Sequence, residues 1–370
     1  MKFICERKTL YEAAKKAAGV SPGRHPIEIL NGVLIECSED NNEIYLTATN
    51  HNISIMQKVK GNVEESGKAV VEAAILPQIL SKWEDETICF HYEANRSNHM
   101  FIMPMGKKSW FDIRALKVEH FIKPAMAFPE ESVIMKGICS LFKRTVLAVN
   151  KESDIPVMQC LKLSLSPDNS IAYALNTQSV VMVNSDAKAG SAAEYLIPAE
   201  SMAVLASIVT DSDEFEVGSV DNAVVFTKED MIFSIKTITG LFPNVAPIID
   251  GFTPISSAIV DAEAFMKLLG RVKVFSPQAA FRIILKDNEL SICFMEKLNN
   301  FNDSIPSKTQ IASKPAKQVL YSLSGLYDFV KISQGLIKIQ FDKVGFMVIK
   351  TKSQIYCQLP RAYKENKAAA

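Results

Sequence analysis

The chain holds few residues of the types that do catalytic chemistry, and their positions restrict what they could do. Its five histidines, at positions 25, 51, 91, 99 and 120, all lie in the first third of the sequence. A zinc site or a Ser-His-Asp triad in the later two thirds therefore has no imidazole available. The motifs of phosphate-binding loops, dinucleotide sites, zinc proteases and calcium loops are also missing. We expect no catalytic residue, no metal and no cofactor.

The seven cysteines indicate reduced thiols in a cytosolic protein. They lie at positions 5, 37, 89, 139, 160, 293 and 357, and none form a CxxC pair. One alternative is an enzyme with Cys139 as nucleophile, because a thiolate near the start of a basic helix is favoured by the helix dipole and by neighbouring lysines. Against this reading, no histidine follows residue 120, and Cys139 falls toward the apolar side of that helix.

The basic helix is the most distinctive element that the sequence predicts. Residues 136–151 have an amphipathic pattern, and their only ionised members are Lys136, Lys143, Arg144 and Lys151. At about 100° per residue, all four fall within roughly one quarter of the helix circumference. Apolar residues occupy the opposite side, which is typical of a core face. The pattern predicts a row of positive charge with no acid to neutralise it.

Length and composition describe an ordinary globular protein of more than one domain. The chain has 370 residues, of which 48% are hydrophobic and 22% are charged. Forty-one basic and forty-one acidic residues cancel, which argues against a general polyanion binder but allows a local basic stripe. No stretch is apolar enough to span a membrane, and the N-terminus lacks a secretory signal. We expect a cytoplasmic protein without a membrane partner.

The predicted elements recur with a period of about 120 residues, which indicates triplication of a domain rather than a solenoid. Each third reads as two helices with roughly eight short strands. The residue types recur as well, because residues 29–36 align with 157–164 and residues 46–50 align with 173–177. The helices are predicted at 8–19, 73–84, 136–151, 199–209, 262–273 and 324–333. We therefore predict an α+β protein of three tandem domains, with bounds 1–125, 128–247 and 252–370.

Several short segments carry a family resemblance through all three thirds. They are the opening MKF with Glu6-Arg7, Arg24 before Pro26, ILNGVLIE at 29–36, LTATN at 46–50, Gly240-Leu241-Phe242-Pro243 and Leu359-Pro360. Their order and spacing resemble the bacterial DNA polymerase III beta subunit, the sliding clamp. The resemblance implies the DNA clamp fold, in which two chains close head to tail into a ring. Helices line the hole of that ring, and sheets lie outside.

The resemblance also implies a function without catalysis. Sliding clamps are processivity factors that encircle duplex DNA and tether other proteins to it. The implied partners are non-specifically bound double-stranded DNA, a second copy of the chain, the DNA polymerase III alpha subunit, the clamp loader and other proteins with a clamp-binding motif.

A ring that slides must contact phosphates without reading bases, which requires lysines and arginines on the helices facing the DNA. One basic helix face in each repeat would supply them, although Glu12 could pair with Lys15 instead. The candidate DNA-binding residues are Lys15, Arg24, Lys136, Lys143, Arg144, Lys151, Lys267 and Arg271.

Two further sites follow from the resemblance alone. The ring would close through the last strand of domain one and the end of the first helix of domain three, and two such head-to-tail contacts close a two-fold ring. The matching residues are Phe101, Met103, Val274 and Phe275. Partner peptides would dock in an apolar cleft between domains two and three. The matching residues there are Val157, Asn176, Val181, Pro243, Ile248, Cys357, Leu359 and Pro360.

The cleft departs from the family pattern at several positions. The family usually carries Gly-His-Arg where this chain has Gln178-Ser179-Val180, and often an arginine where it has Pro247. The usual Met-Arg-Leu ending is replaced by Arg361 and a polar tail. These changes leave open an alternative, a specialised plasmid-type or prophage-type clamp paralogue with altered partner specificity.

Overall fold

The structure, a computed structural model, describes residues 1–93, 98–296, 299–313 and 319–362. The contacts divide the chain into two compact units. The first unit joins residues 1–139 to residues 200–237, and the second joins residues 140–199 to residue 238 onwards.

The division into three domains stays a prediction. Residues 363–370, which it assigns to the third domain, lie outside the described residues. So do residues 317–318, where the last third was expected to begin a strand at 317–322.

Helices and strands follow one another in the predicted order along most of the chain. The helices are α1 (Arg7–Val20), α2 (Ile75–Leu80), α3 (Ile138–Thr145), α4 (Ala199–Ile208), α5 (Ala246–Asp250), α6 (Ala262–Lys273) and α7 (Leu323–Lys331). The strands of the first half are β1 (Lys2–Glu6), β2 (Gly32–Ser38), β3 (Glu43–Thr49), β4 (Ile53–Glu65), β5 (Gly67–Glu72), β6 (Thr87–Tyr92), β7 (His99–Pro104), β8 (Phe111–Leu116), β9 (Ser132–Met135), β10 (Cys160–Leu165), β11 (Ser170–Leu175), β12 (Ser179–Ser185) and β13 (Ala193–Pro198). Those of the second half are β14 (Phe215–Val220), β15 (Ala223–Lys228), β16 (Met231–Lys236), β17 (Ser256–Asp261), β18 (Ala280–Lys286), β19 (Glu289–Glu296), β20 (Asn299–Pro306), β21 (Lys308–Ile311), β22 (Val319–Ser322), β23 (Leu336–Phe341), β24 (Met347–Lys350), β25 (Gln354–Gln358) and β26 (Arg361–Ala362).

One antiparallel sheet runs through the first unit in the order β1-β6-β7-β8-β5-β2-β3-β4-β16-β15-β14-β9. Strands β4 and β16 join its two stretches of chain, with register from Ile53 opposite Ile235 to Gln57 opposite Met231. The buried face of α1 packs on this sheet through Leu10, Ala14 and their neighbours. Small alanines at helical spacing let α1 approach the strands closely, which fixes the exposed position of its lysines.

The second unit contains two antiparallel sheets. The larger follows the order β13-β10-β11-β12-β25-β24-β23-β17-β21, and the smaller follows β20-β19-β18-β22-β26. Strands β12 and β25 pair from Ser179 opposite Gln358 to Val183 opposite Gln354. Helix α6 buries Phe265, Leu268, Leu269 and Val272 at i, i+3, i+4 and i+7. That stripe is the one that the sequence predicted, and the observed bounds of α6 match the prediction.

The basic helix is shorter than predicted. Instead of spanning 136–151, α3 begins after Gly137, whose φ of 68° is left-handed, and gives way to a 3-10 turn at Val146–Ala148. The Thr145 hydroxyl donates to the Leu141 carbonyl four residues earlier, a contact that often accompanies a bend. The expected helix at 73–84 likewise shrinks to α2. The prediction failed at these ends because a 3.6-residue pattern continues through turns that the backbone does not follow.

Several elements differ from the strand predictions. The strands expected at 29–36 and 157–165 each open with a 3-10 turn, at Glu28–Asn31 and Pro156–Gln159. Strands β5, β8, β20, β21 and β26 and helix α5 were not predicted. The residues of β20 and β21 are mostly exposed and charged or polar, so these two strands lack the apolar alternation that marks a strand. No helix in the part of the chain that the structure describes has both the length and the apolar character needed to cross a membrane.

Candidate functional site

Three of the candidate cations lie in the first unit. Lys15 is exposed on α1 and, within the described ranges, forms no ion pair, so the suspected pairing with Glu12 does not occur. Arg24 is exposed in the loop after Gly23, whose φ is 73°. Lys136 precedes α3 and pairs with Glu214, 2.6 Å from its Nζ. The expectation that no acid neutralises the predicted basic row is therefore wrong at Lys136.

Helix α3 itself carries two of the four predicted cations. Lys143 is exposed, and no acid of the described residues lies within ion-pair distance of it. Arg144 is half-buried, and its Nη1 donates a hydrogen bond of 2.9 Å to the Ser353 hydroxyl. That contact holds the guanidinium without cancelling its charge. Lys151 is exposed but lies in the turn beyond the helix, so the predicted single row of four charges is not formed.

Helix α6 presents Lys267 and Arg271 on the side opposite its buried stripe, as predicted. Both are paired with acids. The Lys267 ammonium lies 2.6 Å from a Glu263 oxygen one turn earlier, and Arg271 binds Asp303 on β20. These acids are the residues that the sequence reasoning missed. Glu263 could have been found from its i, i+4 spacing, whereas Asp303 comes from a distant strand.

The residues of the predicted peptide cleft all belong to the second unit, and Asn176 lies in the turn between β11 and β12. The Asn176 side chain accepts hydrogen bonds from the Gln178 and Ser179 amides, both at 2.8 Å, which fixes the turn. The Leu359 amide donates to the Gln178 carbonyl at 2.8 Å. The Arg361 guanidinium donates to the Gln178 side-chain oxygen at 2.7 Å and 3.2 Å. Two positions where the chain departs from the family pattern, 178 and 361, therefore contact each other.

The apolar residues of the cleft divide into exposed and buried groups. Ile248 and Leu359 are each 51% exposed, Pro243 is exposed, and Val157 is half-buried. Val157 lies so close to Gly240 that an added Cβ there would be 2.7 Å from its Cγ1. Val181 and Cys357 are buried, at 0% and 1% exposure. A partner could touch the first group, whereas Val181 and Cys357 are core residues that a partner cannot reach.

Cys357 belongs to a small apolar cluster that backs the cleft. It packs with Phe346 and Val348, and partly buried side chains cover them. Burial raises the pKa of the Cys357 thiol to about 12, so this sulfur stays protonated. The thiol therefore acts as a small apolar core group rather than as a reactive one.

The expected ring edges are arranged differently from the prediction. Phe101 and Met103 lie on β7, but β7 is not the last strand of its sheet region, because β8 pairs with it from His99 opposite Arg114 to Ile102 opposite Phe111. The Phe101 ring packs against Trp110, with ring centroids 5.7 Å apart. The prediction that these residues occupy a terminal strand is wrong.

The residues predicted for the other ring edge, Val274 and Phe275, directly follow helix α6. Val274 is 83% exposed. Phe275 is 40% exposed, and its ring stacks on Phe294 at 4.9 Å. Val274 is therefore free to meet another surface, whereas Phe275 is partly committed to its own unit.

The alternative of a cysteine nucleophile finds no support in the geometry. Cys139 is 5% exposed, and its Sγ donates to the carbonyls of Ala206 and Val209 at 3.4 Å and 3.2 Å. None of the seven cysteines takes part in a disulfide. Burial raises the pKa of Cys5 to about 12 and that of Cys160 to about 11. In the described ranges, no three acidic, cysteine or histidine side chains gather as metal ligands.

Comparison with known proteins agrees with this geometry. Residues 1–126 match the family model of the DNA polymerase III beta subunit, N-terminal domain. The beta sliding clamp of Chlamydia muridarum is 23% identical over 290 residues, which cover 76% of each chain. The DNA polymerase III subunit beta from Pseudomonas aeruginosa has a TM-score of 0.88 at 16% identity, covering 98% of this chain and all of its own. A putative DNA polymerase III beta subunit from Eubacterium rectale gives 0.87, with the same identity and coverage.

The chain is a divergent relative of the beta sliding clamps, and its first 126 residues match their amino-terminal domain model. Its fold is the clamp fold, an α+β arrangement with many antiparallel strands and few helices. The relatives that it matches are sliding clamps, which are non-catalytic accessory proteins.

Proposed function

We propose that two copies of this chain close head to tail into a ring around duplex DNA, in the cytoplasm, and serve as a DNA polymerase processivity factor. The observation that carries the proposal is the similarity of the chain to the beta sliding clamps, in sequence and in fold. The proposal assigns the helices to the lining of the hole and the sheets to the outside, in three similar domains per chain.

The DNA contact that we propose is electrostatic and independent of sequence. Lys143 and Lys151 are exposed without a paired acid among the described residues, and Arg144 keeps its charge while it binds Ser353. Such cations neutralise phosphates and release counterions, yet they read no base edges, so the protein can move along the duplex. Lys15 and Arg24 would contribute further positive charge from the first unit. A smaller contribution is expected from Lys136, Lys267 and Arg271, because each of these three is already paired with an acid.

Ring closure would use the exposed Val274 and the neighbouring Phe275 on one side. On the other side it would use the sheet region of β7 and β8, where Phe101 and Met103 lie and where Trp110 is 58% exposed. Two different patches meeting head to tail form a heterologous contact, and two copies of it close a dimer.

The exposed residues of the cleft in the second unit would hold partner peptides. Ile248, Leu359, Pro243 and Val157 offer an apolar surface of the kind that receives short linear segments. The partners that we propose are the DNA polymerase III alpha subunit, the clamp loader and other proteins with a clamp-binding motif.

A second candidate is a specialised clamp paralogue with altered partners. The observation that favours it is the hydrogen-bonded pair of Gln178 and Arg361, because both positions depart from the family pattern and together they occupy one end of the cleft. A fluorescent peptide from the replicative polymerase would separate the two candidates. The general clamp is supported if the peptide binds the full chain with micromolar affinity and the Ile248→Asp variant does not bind it. The paralogue is supported if the peptide does not bind the unmodified chain.

Light scattering and negative-stain electron microscopy of the full chain test the ring itself. We expect a dimer whose class averages show an opening wide enough to admit a DNA duplex. Val274→Asp should shift the population toward monomers, since it places an unpaired charge in the contact. Particles that are monomeric, or dimeric without an opening, would contradict the proposal.

A further inference from the structure

A second groove lies within the first unit, where neither the motifs nor the family resemblance placed a site. Its cavity measures about 610 Å³ and is lined by the turn after β3, the chain leading to β2, the segment 120–127 and the end of β16. A smaller pocket of about 420 Å³ adjoins it and shares Ile27, Ile29 and His120 with it. We call the two together the amino-terminal groove.

The backbone around the amino-terminal groove repeats that of the cleft in the second unit. The Asn50 side chain accepts from the amides of Asn52 and Ile53, as Asn176 accepts from those of Gln178 and Ser179. The Lys236 amide donates to the Asn52 carbonyl at 2.8 Å, which is the contact that Leu359 makes with Gln178. The groove is therefore the counterpart, in the first unit, of the predicted peptide cleft.

These contacts also refine the internal alignment. Residues 46–50 were aligned with 173–177, which places Asn50 over Thr177. The turn hydrogen bonds place Asn50 over Asn176 instead, a shift of one residue. Because strand side chains alternate between faces, this shift decides which residues of the two grooves correspond.

The amino-terminal groove exposes apolar side chains that the first unit leaves uncovered. Ile27 is 53% exposed and Ile122 is 80% exposed. The neighbouring Phe121 is 9% exposed and packs on Leu34 and Val70, so it anchors the segment while Ile122 points to solvent. An apolar rim held in place by a buried aromatic residue is a feature of binding surfaces.

The segment that forms one wall can also pair with an extended chain. Residues 122–127 have no regular secondary structure. Among the residues that the structure describes, none of these six takes part in a backbone–backbone hydrogen bond. The carbonyls of this segment and the amides of its five non-proline residues lie beside an apolar groove, where an extended peptide could pair with them much as a peptide pairs with a sheet edge.

The charges of the amino-terminal groove favour an acidic ligand. Its lining includes Arg114, Lys117 and Lys236. The acids are Glu28, which already lies 3.6 Å from Arg114, and Asp221. Cations therefore outnumber acids around an apolar floor, and electrostatic complementarity selects a peptide that carries a carboxylate.

We propose that the amino-terminal groove binds an extended segment of a partner protein that presents two bulky apolar side chains and an acidic residue. The chain would then hold two peptide sites, one in each unit, and a protein with two such segments would gain affinity through linkage. The proposal does not depend on ring formation, because every residue that lines the groove belongs to the first unit.

The test begins with panning a random dodecapeptide phage library on the full chain. Enriched peptides are then synthesised with a fluorescein label and measured by anisotropy. We expect the enriched peptides to be apolar and to contain an acidic residue. Their affinity for the Ile122→Asp variant and for the Lys236→Glu variant should be at least tenfold lower than for the unmodified chain. Both positions are exposed, so folding should persist, and circular dichroism checks this. Ile248→Asp in the cleft of the second unit is the matched control and should leave this class unchanged.

Two outcomes would overturn the proposal. In the first, none of the enriched peptides binds more weakly to the Ile122→Asp variant. In the second, every enriched peptide loses binding to the Ile248→Asp variant alone. Neither outcome bears on the ring, which light scattering and microscopy measure separately. A photo-crosslinker in place of one apolar residue, followed by mass spectrometry, gives an independent readout. Crosslinks within residues 120–127 support the groove, and crosslinks confined to residues 243–248 contradict it.

Discussion

Helices α3 and α6 each carry two of the cations expected to meet DNA, and their surroundings differ. Lys143 on α3 has no acid beside it in the described ranges, and Arg144 is held by the neutral Ser353 hydroxyl. On α6, Lys267 is paired with Glu263, and Arg271 is paired with Asp303. The patch on α3 therefore carries a net charge of about +2, while the patch on α6 is close to neutral.

The difference shows that a basic residue on a helix is not by itself a phosphate site. An acid within 4 Å cancels most of the field of a cation at the distance of a DNA phosphate, since both lie within one Debye length, about 8–10 Å. Net patch charge, rather than the number of lysines, should decide which helix dominates DNA association. Four predictions test this comparison.

The largest effect is expected on α3. Replacing both Lys143 and Arg144 by glutamine should lower the slope of log affinity against log salt by about two, because each phosphate contact contributes about 0.9. At about 50 mM salt this corresponds to roughly a hundredfold loss of affinity. Anisotropy of a labelled DNA duplex over a salt series measures both quantities.

The control for this pair is Ser353→Ala, which removes the hydrogen-bond partner of Arg144 but leaves both cations. It should cost about 1 kcal/mol of stability at most and leave the salt slope unchanged. An unchanged slope in the Lys143 and Arg144 double variant would contradict the assignment of α3 to DNA.

The next effect should appear on α6, with the opposite sign. Glu263→Gln frees Lys267 from its acid while keeping side-chain volume. DNA affinity at low salt should rise about tenfold, and the slope should steepen by about one. The same duplex titration applies. If DNA affinity did not rise, α6 would not face the DNA. The difference between α3 and α6 would then be one of position rather than of charge.

The two helices also begin differently, and this predicts a difference in stability. Gly137, just before α3, has a left-handed φ of 68°, and an added Cβ would meet no atom within 4 Å. Gly137→Ala should therefore cost about 1.5 kcal/mol through backbone strain alone. Urea denaturation measures the loss, and Gly137→Asn, which tolerates this conformation better, should lose less.

The same contrast explains which parts of the fold could be predicted. The bounds of α6 follow from local signals, the capping Asp261 and the apolar stripe, and the sequence contains both. The ends of α3 depend on the left-handed Gly137 and on the turn after Thr145, which the helical periodicity does not record. Likewise β20 and β21 have little apolar alternation and gain their places by pairing with β19 and β17.

The candidate sites divide in the same way. The sequence pattern singled out the candidate cations, and the family resemblance singled out the candidate cleft residues of the second unit. The sequence could not show that Glu214 and Asp303 reach Lys136 and Arg271, because these acids come from distant segments. Nor could it reveal the amino-terminal groove, which the β3–β4 turn, the segment 120–127 and the end of β16 form only after folding.

The smallest effect concerns the start of α6. The Asp261 side chain accepts a hydrogen bond of 2.9 Å from the Ala264 amide, which satisfies one of the free donors of the first turn. Asp261→Ala should cost about 1 kcal/mol of unfolding free energy, and Asp261→Ser should recover most of it. Because the cap lies far along the helix from Arg271, neither change should alter the salt slope of DNA binding. If Asp261→Ala changed that slope, charges anywhere along α6 would affect DNA binding. The difference between α3 and α6 could then not be attributed to their local ion pairs.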